Sequence, residues 1–287
     1  MMRKVSEIMI KDYITIDSLW GIRRIQDIAE ETGVECFPVT DNGRIIGVLT
    51  RNDLIKAHPN RIALDAMSGA VKYIEHDESI WKAKEALDAK DTDMLLVTRE
   101  NEVVGVITRQ ALNYELGKHV DLLTCLNKSD YIYYKAVELL RQGSEISIVF
   151  FDVNNFGYIN KELGHAIGDK ILKEIALLLK ENTPDEAYLC RYGGDEFVLL
   201  IACCAEDCKA FAEKLIRTIK DHEFSQNTTV NVSAGIAGGR RRGSRKTDIS
   251  KTVSDLINIA SLASTRAKME TNNLVLGFCG FIDEIAI

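Results

Sequence analysis

Proline is scarce in this 287-residue chain: Pro38, Pro59 and Pro184 are all there is. A long disordered linker is therefore not expected. Long apolar runs are also missing. No uncharged apolar stretch approaches 18 residues, which argues against a membrane-spanning helix. The opening Met1-Met2-Arg3-Lys4-Val5-Ser6-Glu7 has no apolar region behind it, so no signal peptide is expected. Positive charge is in deficit: 36 Lys and Arg stand against 43 Asp and Glu, a net charge of −7. Residues 1–120 carry 16 basic and 20 acidic residues, and 121–287 carry 20 and 23. Neither half is a basic arm, which argues against generic nucleic-acid binding and leaves a small anionic ligand open. No Cys-x-x-Cys occurs among the seven cysteines, at 36, 125, 190, 203, 204, 208 and 279. They are expected to be reduced thiols of a cytoplasmic protein rather than a zinc site. What is present, 46% apolar and 28% charged residues, fills about two domains.

Sliding the sequence along itself by 58 residues gives an ungapped match. Met9 falls on Met67, Ile16 on Ile74, and Val39-Thr40 on Val97-Thr98. Gly47-Val48-Leu49-Thr50-Arg51 falls on Gly105-Val106-Ile107-Thr108-Arg109. Each copy, about 1–58 and 59–116, reads as an apolar start, a helix (20–33 and 78–91), two β-rich runs and a closing helix. The β-runs are 36–39 with 45–49, and 94–97 with 103–107. Thr40-Asp41-Asn42-Gly43 reads as a hairpin turn, because Asn-Gly accepts positive φ. A 58-residue unit buries little surface alone, so the copies are expected to pack about a pseudo-twofold axis.

Over residues 3–116 the repeat resembles a tandem pair of CBS domains, a family that usually binds an adenosine nucleotide between its copies. The resemblance implies that the Thr50 hydroxyl meets phosphate and the Asp53 carboxylate meets ribose hydroxyls. In the second copy the threonine is kept as Thr108, but the acid is Ala111. A carboxylate accepts hydrogen bonds from vicinal hydroxyls and a methyl group does not, so the pocket using Asp53 is the expected one. Thr-x-x-Asp before an apolar helix is equally an N-cap arrangement.

From residue 121 the pattern changes, placing the domains at 1–119 and 120–287. Helices are predicted over 129–142, 169–181, 206–221 and 252–270, and strands over 146–151, 188–192, 197–202, 229–237 and 274–278. The order β-α-β-β-α-β is that of a split βαβ, ferredoxin-like sheet. A right-handed crossover makes its first two strands parallel, with the third antiparallel between them. The turn between strands two and three then lies beside the carboxyl end of strand one. Strand one ends in Asp152, and that turn holds Asp195 and Glu196. Three carboxylates on one rim raise one another's pKa unless a cation joins them. Mg²⁺, a hard cation that seeks oxygen and commonly accompanies a polyphosphate, is the expected partner. Gly-Gly-Asp-Glu is also acceptable hairpin chemistry with no further role.

Arg191-Tyr192-Gly193-Gly194-Asp195-Glu196-Phe197 resembles the signature of GGDEF-domain diguanylate cyclases. Four more segments resemble that family in order: Asp121-Leu122-Leu123-Thr124-Cys125-Leu126-Asn127; Phe156, Asn160, Gly164-His165 and Gly168-Asp169; Val232-Ser233-Ala234-Gly235; and Ala267-Lys268. The resemblance implies an α/β (α+β) chain: the CBS pair, then a palm-type, ferredoxin-like domain with an antiparallel-centred sheet and flanking helices. It implies that Asp152, Asp195 and the Val153 carbonyl ligate Mg²⁺ or Mn²⁺, with Glu196 completing the metal site or activating the attacking 3′-hydroxyl. Phe156, Asn160 and Asp169 would take the GTP base, and Lys268 its phosphates. Asp169 also reads as a plain N-cap of the helix after it.

Several family positions differ. Gly157 and Asn272 stand where phosphate-binding lysine and arginine are usual, and Thr271 where a glycine is usual. Lys161, Ser261 and Ser264-Thr265 replace an acid, an acid and a Leu-Tyr pair, and Cys125 replaces a glycine. Each lost charge-assisted contact is worth about 1.5–3 kcal/mol, roughly tenfold or more in affinity. Arg240-Arg241-Arg242-Gly243-Ser244-Arg245-Lys246 reads as a solvated basic loop rather than a replacement clamp. Positions 184–187, Pro-Asp-Glu-Ala, lack the family's R-x-x-D product-feedback site. The connection 110–127, without proline, is expected to be a semi-rigid helix. The expected protein is a homodimeric diguanylate cyclase regulated through its CBS pair; the alternative is a weak or inactive domain sensing GTP or a partner.

Overall fold

The computed structural model describes residues 3–89, 92–240, 248–270 and 272–282. The chain divides into two compact units, Met1–Lys118 and His119–Ile287. In the first, one copy comprises β1 (Ile16–Asp17), α1 (Ile22–Thr32), β2 (Cys36–Asp41), β3 (Arg44–Thr50) and α2 (Arg51–Lys56), and α3 (Ala63–Ala66) opens the other. The other continues with β4 (Tyr73–Glu75), α4 (Ile80–Asp88), β5 (Met94–Arg99), β6 (Glu102–Thr108) and α5 (Arg109–Gly117). Each copy folds a three-stranded sheet, β1-β2-β3 or β4-β5-β6. The 58-residue translation survives in the register, since Ile16 pairs with Val39 and Ile74 with Val97. Asn42 and Gly43 take φ of 45° and 77°, as the hairpin requires.

The copies do not close independently. Ile10, ahead of the first sheet, exchanges hydrogen bonds of 2.8 and 2.9 Å with Val106 of the second copy. Its equivalent Ser68 does the same with Val48 of the first, at 2.9 Å both ways. This reciprocal exchange brings Met9 against Gly105 and Met67 against Gly47, where a side chain has no room. Cys36, Val48, Met94, Leu96 and Val106, drawn from both copies, share one small core.

The second unit runs α6 (Ser129–Arg141), β7 (Ile146–Val153), α7 (Phe156–Leu163), α8 (His165–Glu181), β8 (Tyr188–Gly193), β9 (Glu196–Ile201), α9 (Ala205–Lys220), β10 (Val232–Arg240), α10 (Ile249–Met269) and β11 (Leu274–Phe281). The sheet order is β11-β10-β7-β9-β8. β7 is antiparallel to both β9 and β10, and β8 is antiparallel to β9, as the element order predicts. Val149, Phe151 and Val153 point to a core with α8 and α9, while Ile146, Ile148 and Phe150 point to a second core with α6 and α10. Period-2 alternation in a largely apolar strand thus serves two helical layers.

Three expectations are corrected. A separate helix, α7, precedes α8, with Gly164 at φ 84° as the break between them. Asp169 therefore lies inside α8, whose N-cap is Gly164, and is not a cap. The connection is not one helix: α5 ends at Gly117, and 118–128 turns back on itself through bonds such as Lys128 N–H to the His119 carbonyl, 2.9 Å. Among the described residues no helix is long and apolar enough to cross a membrane.

A Cβ at 105 would sit 2.9 Å from the Ile10 carbonyl oxygen. Gly105→Val should therefore destabilise the chain by about 1–3 kcal/mol in urea unfolding. Gly157→Ala, where an added Cβ meets nothing within 4 Å, should leave stability within about 0.5 kcal/mol or raise it slightly.

Candidate active site

β7 is apolar from Ile148 to Phe151 and then presents Asp152. Antiparallel register sets Asp152 opposite Glu196, the first residue of β9. The Val153 N–H donates to the Asp195 carbonyl at 3.2 Å, which draws the turn onto the strand end. The acids repel. Burial, then the Asp152 charge, pushes the Asp195 carboxyl above its ordinary range, and burial, Asp152 and Asp195 do the same to Glu196. Lys268 supplies the counter-charge: its Nζ lies 2.8 Å from Asp152 Oδ1 and pulls both raised carboxyls down. Among the described residues no three acidic, histidine or cysteine side chains already form a cation cage.

Lys268 reaches the acids because α10 lies very close to β10. Gly235 makes this possible, since a Cβ there would overlap the Ala260 carbonyl oxygen and the Ser264 N–H. The face of α10 turned to the sheet is small or aliphatic, with Val253, Leu256, Ile257, Ala260, Ala263 and Ala267 buried, and Lys268 flanks it.

Arg191 holds the acidic turn, a role the sequence reading did not assign. Its Nε and Nη2 donate to the Gly194 carbonyl at 2.9 and 2.6 Å, and its Nη1 donates to Asp121 Oδ1 at 2.9 Å. Asp121 also accepts from the Thr124 N–H and hydroxyl, at 2.9 and 2.7 Å. Burial raises the Asp121 carboxyl, but these bonds outweigh it and hold the group below the ordinary range. Cys125, next after Thr124, takes φ 58°, a conformation suited to glycine.

Two residues, Asn154 and Asn155, link β7 to α7, and Asn155 makes the turn at φ 56°. Asn160 on α7 packs against α8 where Gly168 has no side chain; a Cβ there would overlap Asn160 Oδ1 and crowd Phe156. That oxygen is buried without a hydrogen-bond partner. Asp169, next along α8, is exposed.

A profile described as "Diguanylate cyclase, GGDEF domain" matches residues 118–273, and one for the CBS domain matches 5–60 and 62–117. The chain belongs to the GGDEF family. The chain is 29% identical over 180 residues to the response regulator PleD of Caulobacter vibrioides, covering 59% of this chain and 38% of PleD. It is also 29% identical over 171 residues to the bifunctional diguanylate cyclase/cyclic di-GMP phosphodiesterase MucR of Pseudomonas aeruginosa, covering 58% and 24%. The chain thus spans between about a quarter and two-fifths of the length of these curated relatives. The fold is that of the GGDEF domain of DgcB from Caulobacter crescentus, solved in complex with c-di-GMP: TM-score 0.51, 19% identity, 57% of this chain and 88% of that one.

Gly157 is exposed on α7 with open space around it, and the Asn272 amide lies 3.5 Å from Glu270 Oε2. Ser264 is buried, its hydroxyl donating to the Ser261 carbonyl at 2.8 Å within α10. Thr271 and the basic residues 241–246 lie outside the described residues.

The CBS unit holds a cleft of about 450 Å³ lined by matched pairs from the two copies: Glu35 and Asp93, Thr50 and Thr108, Arg51 and Arg109. Asp53 is not among its lining residues. The Asp53 carboxylate accepts instead from the Thr50 N–H at 2.9 Å and hydroxyl at 2.7 Å, closing a capping box at α2. The arginines differ in freedom. Arg109 binds Asp88, Asp93 and the carbonyls of Leu87 and Thr92 at 2.8–3.1 Å, while exposed Arg51 meets Glu35 at 3.3 Å.

Because the Asp195 carboxyl is raised on folding, the folded state holds its proton to higher pH than the unfolded chain. Stability therefore falls as pH rises from the unfolded to the folded value, and the deficit persists above it. Asp195→Asn, which removes the repelling charge, should raise Tm at pH 7 in metal-free buffer. The gain should shrink toward pH 3, where the wild-type carboxyl is protonated in both states.

Proposed function

We propose that this chain is a diguanylate cyclase that condenses two GTP into cyclic di-GMP with release of two pyrophosphates. The observation that carries this reading is the strand register setting Asp152 against Glu196 beside Asp195, with the Lys268 ammonium 2.8 Å from Asp152. The donors are hard oxygens under mutual repulsion, a set that suits Mg²⁺ or Mn²⁺. Asp152, Asp195 and the Val153 carbonyl would hold the ion, which when bound neutralises triphosphate charge and polarises the reacting phosphorus. Lys268, released from Asp152 as cation charge arrives, would pair with phosphate oxygens. Glu196 would complete the metal site or accept the proton of the attacking 3′-hydroxyl, a role its raised carboxyl suits. Asp169 would accept from the guanine N1–H and N2–H₂, and Asn160 beside Phe156 would read the same base.

Each domain holds one GTP, so two chains must face each other and the protein would act as a homodimer. The CBS pair would bind an adenosine nucleotide in its cleft, with Thr50 on the wall, and alter how the cyclase domains meet. The setting would be cytoplasmic, where GTP and ATP are available. The second reading is a weak or inactive domain that senses GTP or a partner, and Gly157 and Asn272 favour it, because both replace cations.

Purified protein with GTP and Mg²⁺ or Mn²⁺ should form cyclic di-GMP, and Asp195→Ala should reduce the rate by at least about 100-fold. Turnover should change on adding ATP or AMP. GTP binding without product at any protein concentration would favour the second reading. Gly157→Lys, which has room for its side chain, should lower KM for GTP by roughly tenfold by restoring a charge-assisted contact.

A further inference from the structure

Three cysteines that cyclase chemistry leaves unused meet where α9 begins. Cys204 is the N-cap of this helix, in extended conformation, so Cys203 precedes the cap and Cys208 is the fourth helical residue. Side chains at those two positions pack on each other across the first turn of a helix, the arrangement of a hydrophobic staple. Here both staple members are thiols. Cys208 is fully buried in the core beneath α8 and α9, and partly buried Cys203 packs against the same core. The local backbone is pinned: the Cys203 carbonyl accepts from Ser147 Oγ at 3.0 Å, and the Cys208 N–H donates to the Cys204 carbonyl at 3.1 Å. Cys204 has its own partner, donating to Asp207 Oδ2 at 3.2 Å.

The two staple thiols are unequal. The Cys208 thiol, hydrogen-bonded to the Cys203 sulfur, holds Cys203 below the usual thiol range despite burial and the nearby Asp207 and Glu145 charges. The same interaction, with burial, pushes Cys208 far up. One thiol is thus partly exposed, and its neighbour is enclosed in the core. Those are the properties of an attacking thiolate and a resolving thiol.

We propose that Cys203 and Cys208 form a site of oxidative modification by hydroperoxides. The Cys203 thiolate attacks one peroxide oxygen, forming an S–O bond as the O–O bond breaks. The departing oxygen takes a proton and leaves as water or alcohol. Sulfur is oxidised by two electrons and the peroxide is reduced. The Cys208 sulfur then attacks the Cys203 sulfenic sulfur, its thiol proton leaves with the hydroxyl as water, and a disulfide ties the first turn of α9 to the segment after β9. Ser147, which anchors Cys203, stands five residues before Asp152 on β7, roughly 17 Å away, so the acidic cluster keeps its geometry.

Reduced full-length protein treated with hydrogen peroxide should lose two hydrogens. Cleavage at Glu206 or Asp207 without reduction should leave Cys203 and Cys208 joined, with fragmentation distinguishing Cys203 from Cys204. The link should form before exposed Cys125 is oxidised. Cys208→Ser should stop at a Cys203 sulfenic acid that dimedone traps, and Cys203→Ser should leave Cys208 reduced. Alkylation of folded wild-type protein at pH 7, which depends on no variant, should modify Cys203 ahead of buried Cys208 and Cys190. A disulfide through Cys204 or Cys279, or oxidation of Cys125 with Cys203 and Cys208 still reduced, would overturn the proposal.

Discussion

The register of β7 against β9 is the constraint on which the second unit depends. Six consecutive pairs run from Ser147 with Ile201 to Asp152 with Glu196. A slip by one residue would exchange the two faces of β7 and move Asp152 away from Glu196. Both faces are apolar, so alternation alone does not prevent the slip. The polar ends do. At one end the Ser147 hydroxyl reaches the Cys203 carbonyl, and at the other Asp152 meets the Lys268 ammonium. Between them the strand supplies Val149 and Phe151 to one core and Ile148 and Phe150 to the other.

Holding three carboxylates on one rim works against folding, and the neighbouring residues limit the cost. Arg191 fastens the turn to Asp121 and to the Gly194 carbonyl, so the acids stay at the strand end although they repel. Lys268 offsets one charge, and Gly235 lets α10 come close enough for it to do so. The remaining repulsion appears as the raised carboxyls of Asp195 and Glu196. In the proposed reading, a bound cation would relieve the repulsion that folding left in place.

The first unit solves a different problem with the same economy. Two 58-residue copies each lend a short segment to the other, so Ile10 pairs with Val106 and Ser68 with Val48. The exchange ties the copies into one compact unit with a cleft lined by equivalent residues. The symmetry stops at the arginines. Arg109 is spent on four acceptors, and Arg51 remains exposed on the opposite wall.

The sequence alone determined the repeat, because translation by 58 residues is visible without coordinates. It also determined the convergence of Asp152, Asp195 and Glu196, because strand order and the hand of a crossover follow from chain chemistry. Local signals were weaker at the corner after β7, where Asn155 and Gly164 take positive φ and divide what looked like a single loop and helix. That division placed Asp169 inside α8 rather than at its cap. The same limit applied beyond Gly117, where hydrogen bonds of Asp121 and Lys128 win over helix continuation. Only the tertiary structure decided the contacts of Lys268 with Asp152 and Arg191 with Asp121, which lie 116 and 70 residues apart. Such pairs have no periodicity to betray them. They depend on how closely a helix can approach a sheet, and at Gly235 that distance is set by the absence of one side chain.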